Sequence, residues 1–132
     1  MLFRYKISTP ASTAESAKQK TTLKVAHGIV TQIDIQFPPG PVGLLHLHIN
    51  DALHQVWPMN TGEAFASHNA NISFREFIPV LVEPYEFQAY TWNTDDTYEH
   101  LLIIRIGILP INVAAPWLMS LDDRLKSLLG GV

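Results

Sequence analysis

Between Gly28 and Phe37 the chain reads GIVTQIDIQF, with Ile29, Ile33, Ile35 and Phe37 on one parity and Gln32, Asp34 and Gln36 on the other. A period of two belongs to an extended strand with one wet face, because a helix cannot hold those side chains on a common side. PPGP follows at once, Pro38 to Pro41. Its prolines supply no ladder donors and Gly40 tolerates positive φ, so the strand has to end in a turn. Similar short runs recur at Thr21 to His27, Leu44 to Asn50, Leu53 to Trp57, Asn71 to Phe77, Tyr85 to Trp92 and Tyr98 to Leu109, with Pro, Gly, Asn and Asp between them. That spacing predicts an all-β chain folded as an antiparallel β-sandwich. NTDDT, Asn93 to Thr97, reads as the tip of a hairpin. The run after it is apolar on both parities, which predicts a central strand or one covered on both faces.

Two segments break this pattern. Leu2 to Ile7 alternates and fits a short strand, but STPASTAESAKQK, Ser8 to Lys20, has no large apolar side chain to bury. It is expected to form an extended arm or mobile loop able to reach a neighbouring subunit. Past Pro110, Leu118, Leu121, Leu125, Leu128 and Leu129 recur at helical spacing, with Asp122, Asp123, Arg124 and Lys126 on the other face and Gly130 and Gly131 as a stop. A short amphipathic helix of that length is marginal alone, so its stripe must dock either on its own sheet or on a neighbour. Trp117, Leu118, Leu121, Leu125 and Leu128 are the expected interface residues. Three regions result: a strand and arm over 1–20, a sandwich over 21–110, and a tail with the helix over 111–132.

With 132 residues the chain suffices for one core and is short for two. The net charge is −3, and Lys and Arg are scattered without a basic run, so the sequence carries no footprint for nucleic acid or an anionic membrane surface. The absence of cysteine excludes disulfides and thiolate catalysis. The N-terminus has no apolar stretch of signal-peptide length, and LLIIRIGILPI is interrupted by Arg105, so a soluble, unexported chain is expected.

The sharpest chemical question lies in GLLHLHIND, Gly43 to Asp51. On a strand His46 and His48 share a face with Leu44 and Asn50, while Leu45, Leu47 and Ile49 face the other way. Two imidazoles so placed permit a shared metal, and His100 is a candidate third ligand for a metal-dependent enzyme. A Gly before an HxH pair is similar to the cupin pattern. Yet Glu63 lies well beyond the usual place of the cupin Glu, and DDTYEHLLI around His100 lacks the Pro and Gly of the second cupin motif. The favoured expectation is therefore imidazoles on a polar or inter-subunit sheet face, with no metal and no cofactor. Asp95 with Asp96 and Asp122 with Asp123 are adjacent in sequence and diverge, so they are poor acid/base pairs. Ser67, Ser73 and Ser120 lack a nucleophile-elbow context, and there is no glycine-rich phosphate loop. A different class of reading sets Trp57, Tyr90 and Trp92 as a flat sugar-binding platform.

Taken in order, the PPG…GL turn, the WP.N step at Trp57, the ISF.E strand at Ile72 and the WN.DDTY.H segment at Trp92 resemble a group of small proteins encoded by bacteriophages and uncultured viruses. The resemblance spans about Thr21 to Pro110. It implies a jelly-roll-like sandwich of the kind that decorates or cements capsids or builds neck fittings. It further implies a virion protein made in the host cytoplasm, non-enzymatic, self-associating with cyclic symmetry and attached to a major capsid or other virion protein. His46, Trp57, Asn60, Phe65, Phe74, Glu76, Trp92, Asn93, Asp95, Asp96, Tyr98 and His100 stand on the resembling patterns. The resemblance implies structural uses for them: turn formation, aromatic packing and hydrogen bonds at strand ends.

Overall fold

The computed structural model describes residues 1–117 and Leu128. Eight strands run in chain order: β1 (Leu2–Thr9), β2 (Gln19–Lys24), β3 (Gly28–Phe37), β4 (Leu45–Asp51), β5 (His54–Trp57), β6 (Ala70–Val80), β7 (Glu86–Asn93) and β8 (His100–Leu109). They form two four-stranded antiparallel sheets in the orders β1-β8-β3-β6 and β2-β7-β4-β5. β1 pairs with β8, β2 with β7, β3 with β6 and β4 with β5, so the chain folds back on itself as one long double ribbon. The β3–β8 and β4–β7 ladders then roll that ribbon into two layers, which is a jelly-roll sandwich.

The period-two residues meet between the layers. Ile33, Ile35 and Phe37 of β3, Leu102, Ile104 and Ile106 of β8, Leu45, Leu47 and Ile49 of β4, and Phe87 of β7 are all buried in one cluster. At about 25 cal/mol per Å² of apolar surface this burial is the main force closing the sheets. β8 lies between β1 and β3, the central position its two apolar parities predict.

Three expectations need correction. The stretch Asn93 to Thr97 is not a hairpin tip: β7 and β8 belong to different sheets, so the residues between them form a corner from one layer to the other. Asn93, fully buried, fixes this corner, its Nδ2 donating to the carbonyls of Thr9 (3.2 Å) and Tyr98 (3.0 Å) and its Oδ1 accepting from Asp95 N (3.0 Å). Ile29 does not continue the core parity of Ile33. A register shift between Val30 and Gln32 puts Val30 in the core cluster, and Ile29 is buried outside it; a short helix, α1 (Ile111–Ala114), also contacts β3. The strand expected at Leu2 to Ile7 forms, but both ends of the arm expected over Ser8 to Lys20 are strand as well: Ser8 and Thr9 complete β1 against β8, and Gln19 and Lys20 open β2 against β7.

The helix expected over Leu118, Leu121, Leu125 and Leu129 falls outside the described residues; Leu128 is exposed. What is described of the tail folds against the chain itself: Ile111 and Ala115 are buried, and Trp117 stacks on Phe77 of β6 with centroids 6.3 Å apart. Among the described residues no helix is long and apolar enough to cross a membrane.

Candidate functional site

The strand β4 sets Leu45, Leu47 and Ile49 into the core and turns His46, His48 and Asn50 outward, as alternation requires. Its neighbour β7 turns Gln88, Tyr90 and Trp92 to the same outer face. The register places His46 opposite Trp92, His48 opposite Tyr90 and Asn50 opposite Gln88. These cross-strand pairs are stacked: His46 on Trp92 at 4.9 Å and 6°, His48 on Tyr90 at 5.0 Å and 20°. Such pairs are a normal unit of sheet stabilisation, strongest for aromatic partners.

A strap lies over this aromatic ladder. The 3-10 turn Glu15–Ala17 contacts β7, and the preceding residues are tied by backbone bonds to the corner, Asn93 N to Thr13 O (3.0 Å) and Ser12 N to Asp95 O (2.7 Å). From the strap Lys18 reaches down, its Nζ 4.8 Å from the Trp92 ring centroid and 3.1 Å from Nε2 of His48. A lysine ammonium only donates, so Nε2 of His48 is an acceptor and the ring proton sits on Nδ1, 2.9 Å from Oδ1 of Asn50. His48 is thus a neutral imidazole with both nitrogens committed, 7% exposed. Burial lowers its pKa below the ordinary histidine value and Lys18 adds to that, against the opposing Asn50 bond and Glu15. His46 is lowered too, by burial, with Glu15 opposing.

The ammonium at Nε2 of His48 stands where a shared cation would have to bind. His100 lies on the other sheet, its Nε2 2.8 Å from Oδ2 of Asp95. That Asp95 carboxylate also accepts from Thr97 N (2.9 Å) and Tyr98 N (3.2 Å). These bonds, the Thr97 amide first, hold its pKa below the usual carboxylate range. Among the described residues no three His, Asp or Glu side chains converge as a metal-binding group.

The sugar platform is likewise divided. Trp57 is 2% exposed, packs in the core against Phe87 at 4.9 Å, and donates from Nε1 to Glu76 Oε2 at 2.9 Å. Trp92 is 6% exposed beneath Lys18 on the opposite side of the sheet. Only Tyr90 and Trp92 share a face. A broad groove of about 600 Å³ lies at Lys24, Val25, Glu83 and Tyr85, away from the ladder.

Sequence reasoning missed Lys18 and Asn50 as partners of His48. Asn50 was legible, sharing the parity of the histidines; Lys18 was not, since the fold alone brings it to them from 30 residues away.

No model of a known protein family matches the chain, and no curated protein matches it in sequence.

Proposed function

We propose that this chain is a non-enzymatic structural jelly roll that works by associating with copies of itself, as a decoration, cement or fitting protein of a virion. The observation that carries the reading is the apolar surface left outside a core that is already complete. Trp117, 68% exposed, stacks on Phe77, 46% exposed, and Leu2, Leu109 and Val113 are also exposed. Large aromatic groups presented to solvent beside other apolar side chains mark interaction surfaces more often than chance exposure does. The virion assignment rests on the sequence resemblance.

The favoured reading of the histidines supports the same conclusion. Both face outward and serve as packing elements under the strap, so the residues that looked most chemical have structural work.

Light scattering on a size-exclusion peak, with metal content measured on the same fractions, tests the proposal. The expected result is a ring of several chains without a stoichiometric metal. A monomer carrying one metal per chain overturns it. Mass spectrometry of purified particles tests the virion assignment, and absence of the chain from them refutes that part.

A further inference from the structure

The four strands β1, β8, β3 and β6 expose an outer face whose composition follows directly from the register. One row across the sheet reads Lys6, Ile103, Gln36, Asn71; the next reads Arg4, Arg105, Asp34, Ser73; the third reads Leu2, Gly107, Gln32, Arg75. Four cations therefore share this face with one carboxylate, in a chain whose net charge is −3. Arg4 stands directly opposite Arg105, a like-charge pair that sheets normally avoid. Asp34 stands on the other side of Arg105 but forms no ion pair with it, its Oδ1 taking hydrogen bonds from Gln32 Nε2 (3.1 Å) and from Ser73 Oγ. Arg105 donates to the neutral Gln36 Oε1 at 3.0 Å. Among the described residues the one ion pair is His100 with Asp95, so Arg4, Lys6, Arg75 and Arg105 have no carboxylate partner among them.

The complementary charge stands at the corner between β7 and β8. Asp96 and Glu99 are exposed there, on either side of Tyr98, itself 67% exposed. Asn93 and the carboxylate of Asp95 hold the backbone of this corner, so two acidic groups and a phenol are presented on a fixed support. No ion pair joins them to the basic face of their own chain.

We propose that the β7–β8 corner of one copy docks on the basic face of the β1-β8-β3-β6 sheet of the next. The inference rests on the self-association reading and names its interface. Because the two surfaces differ, the contact is head-to-tail, and repetition by a rotation that closes produces a ring. Four strands present roughly 500 Å² in projection, short of the roughly 800 Å² per partner of a stable interface. The Phe77–Trp117 patch completes it: Phe77 is two residues along β6 from Arg75, so the basic rows run into apolar surface. Charge would set the register of the contact and the aromatic groups its hold.

Light scattering on four chains tests this, with circular dichroism confirming that each is folded. The wild type should be a ring whose mass falls in about 0.5 M salt, since exposed charges are screened there. The Arg4→Glu, Arg105→Glu chain and the Asp96→Lys, Glu99→Lys chain should each run at the mass of a single copy in low salt. The chain carrying all four changes should regain the ring, which a mere folding defect would not allow. A ring that ignores both salt and charge reversal overturns the interface while leaving self-association intact. A wild type that is monomeric at every salt concentration overturns both. A monomer that binds a short DNA duplex through Arg4 and Arg105 would assign the face to a polyanion and equally refute the proposal.

Discussion

Replacing Asn93 by Ala tests how the corner is held. Asn93 sits at the end of β7 with no exposure, and its side chain makes three bonds, to the Thr9 carbonyl, the Tyr98 carbonyl and the Asp95 amide. Alanine removes all three. The Tyr98 and Asp95 groups lie at an exposed turn, where water can replace what is lost. Thr9 is fully buried, so its carbonyl forfeits the Nδ2 donor without that recourse. A buried polar group left short of a partner costs about 1–3 kcal/mol, and an ordinary solvated bond about 1 kcal/mol or less. The expected loss is therefore about 2–4 kcal/mol, read as a lower urea midpoint with unchanged slope, using tryptophan fluorescence. Asn93→Asp should be at least as harmful, because its second oxygen would face two carbonyls. A loss below about 0.5 kcal/mol for Asn93→Ala would refute the account of the corner as a side-chain clamp.

Acidification should loosen the strap. Above a pH of about 6.5, the ordinary histidine value, His48 is neutral whether the strap is closed or open, and its contribution is complete. Its pKa in the folded chain is lowered by burial and by Lys18, so below 6.5 the open state takes up protons first and stability declines, until the pH passes the folded value and the contribution is gone. Urea midpoints between pH 7.5 and 5 should fall in the wild type and fall less in Lys18→Met; an identical slope in His48→Gln would rule out this histidine as the cause. Gly28→Ala should destabilise by about 1–3 kcal/mol, since a Cβ there would lie 2.6 Å from the Leu109 carbonyl oxygen and 2.7 Å from Ile108 Cγ2. An unchanged melting curve would mean that this close approach of β3 to β8 is not rigid.

The strands were readable because alternation and turn chemistry are local. GIVTQIDIQF is β3 in full, and the runs at Leu44, Leu53, Asn71 and Tyr85 fall within a few residues of β4 to β7. Strand order was not readable in that way, because it depends on pairings such as Leu2 with Gly107, set by the joint burial of distant segments. The hairpin expected at Asn93 failed for this reason: NTDDT specifies a tight change of direction but not which sheet the next strand joins. The parity of Ile29 failed for another, since an extra residue at the Val30–Gln32 irregularity reverses every face before it. For the histidines the face was legible from HLH, and so was Asn50. The decisive neighbour, Lys18, came from a segment whose small polar residues read as a mobile arm.

The two outer faces of the sandwich differ in a way that bears on assembly. On the β4–β7 side the aromatic residues Tyr90 and Trp92 are stacked with histidines and closed over by a strap from the same chain, with Lys18 seated against Trp92. On the β1-β8-β3-β6 side the cations have no carboxylate partner among the described residues, and Phe77 and Trp117 are both exposed. Among the described residues the strap closes the first face, while on the second only Trp117 packs over β6, which leaves most of that face available for a large partner. The strap is fastened to the Asn93–Asp95 corner through Thr13 and Ser12, so the element that seals the first face also braces the acidic corner proposed to dock on the second. Loosening the strap at Lys18 should therefore weaken association as well as expose Trp92, although Lys18 lies on neither docking surface.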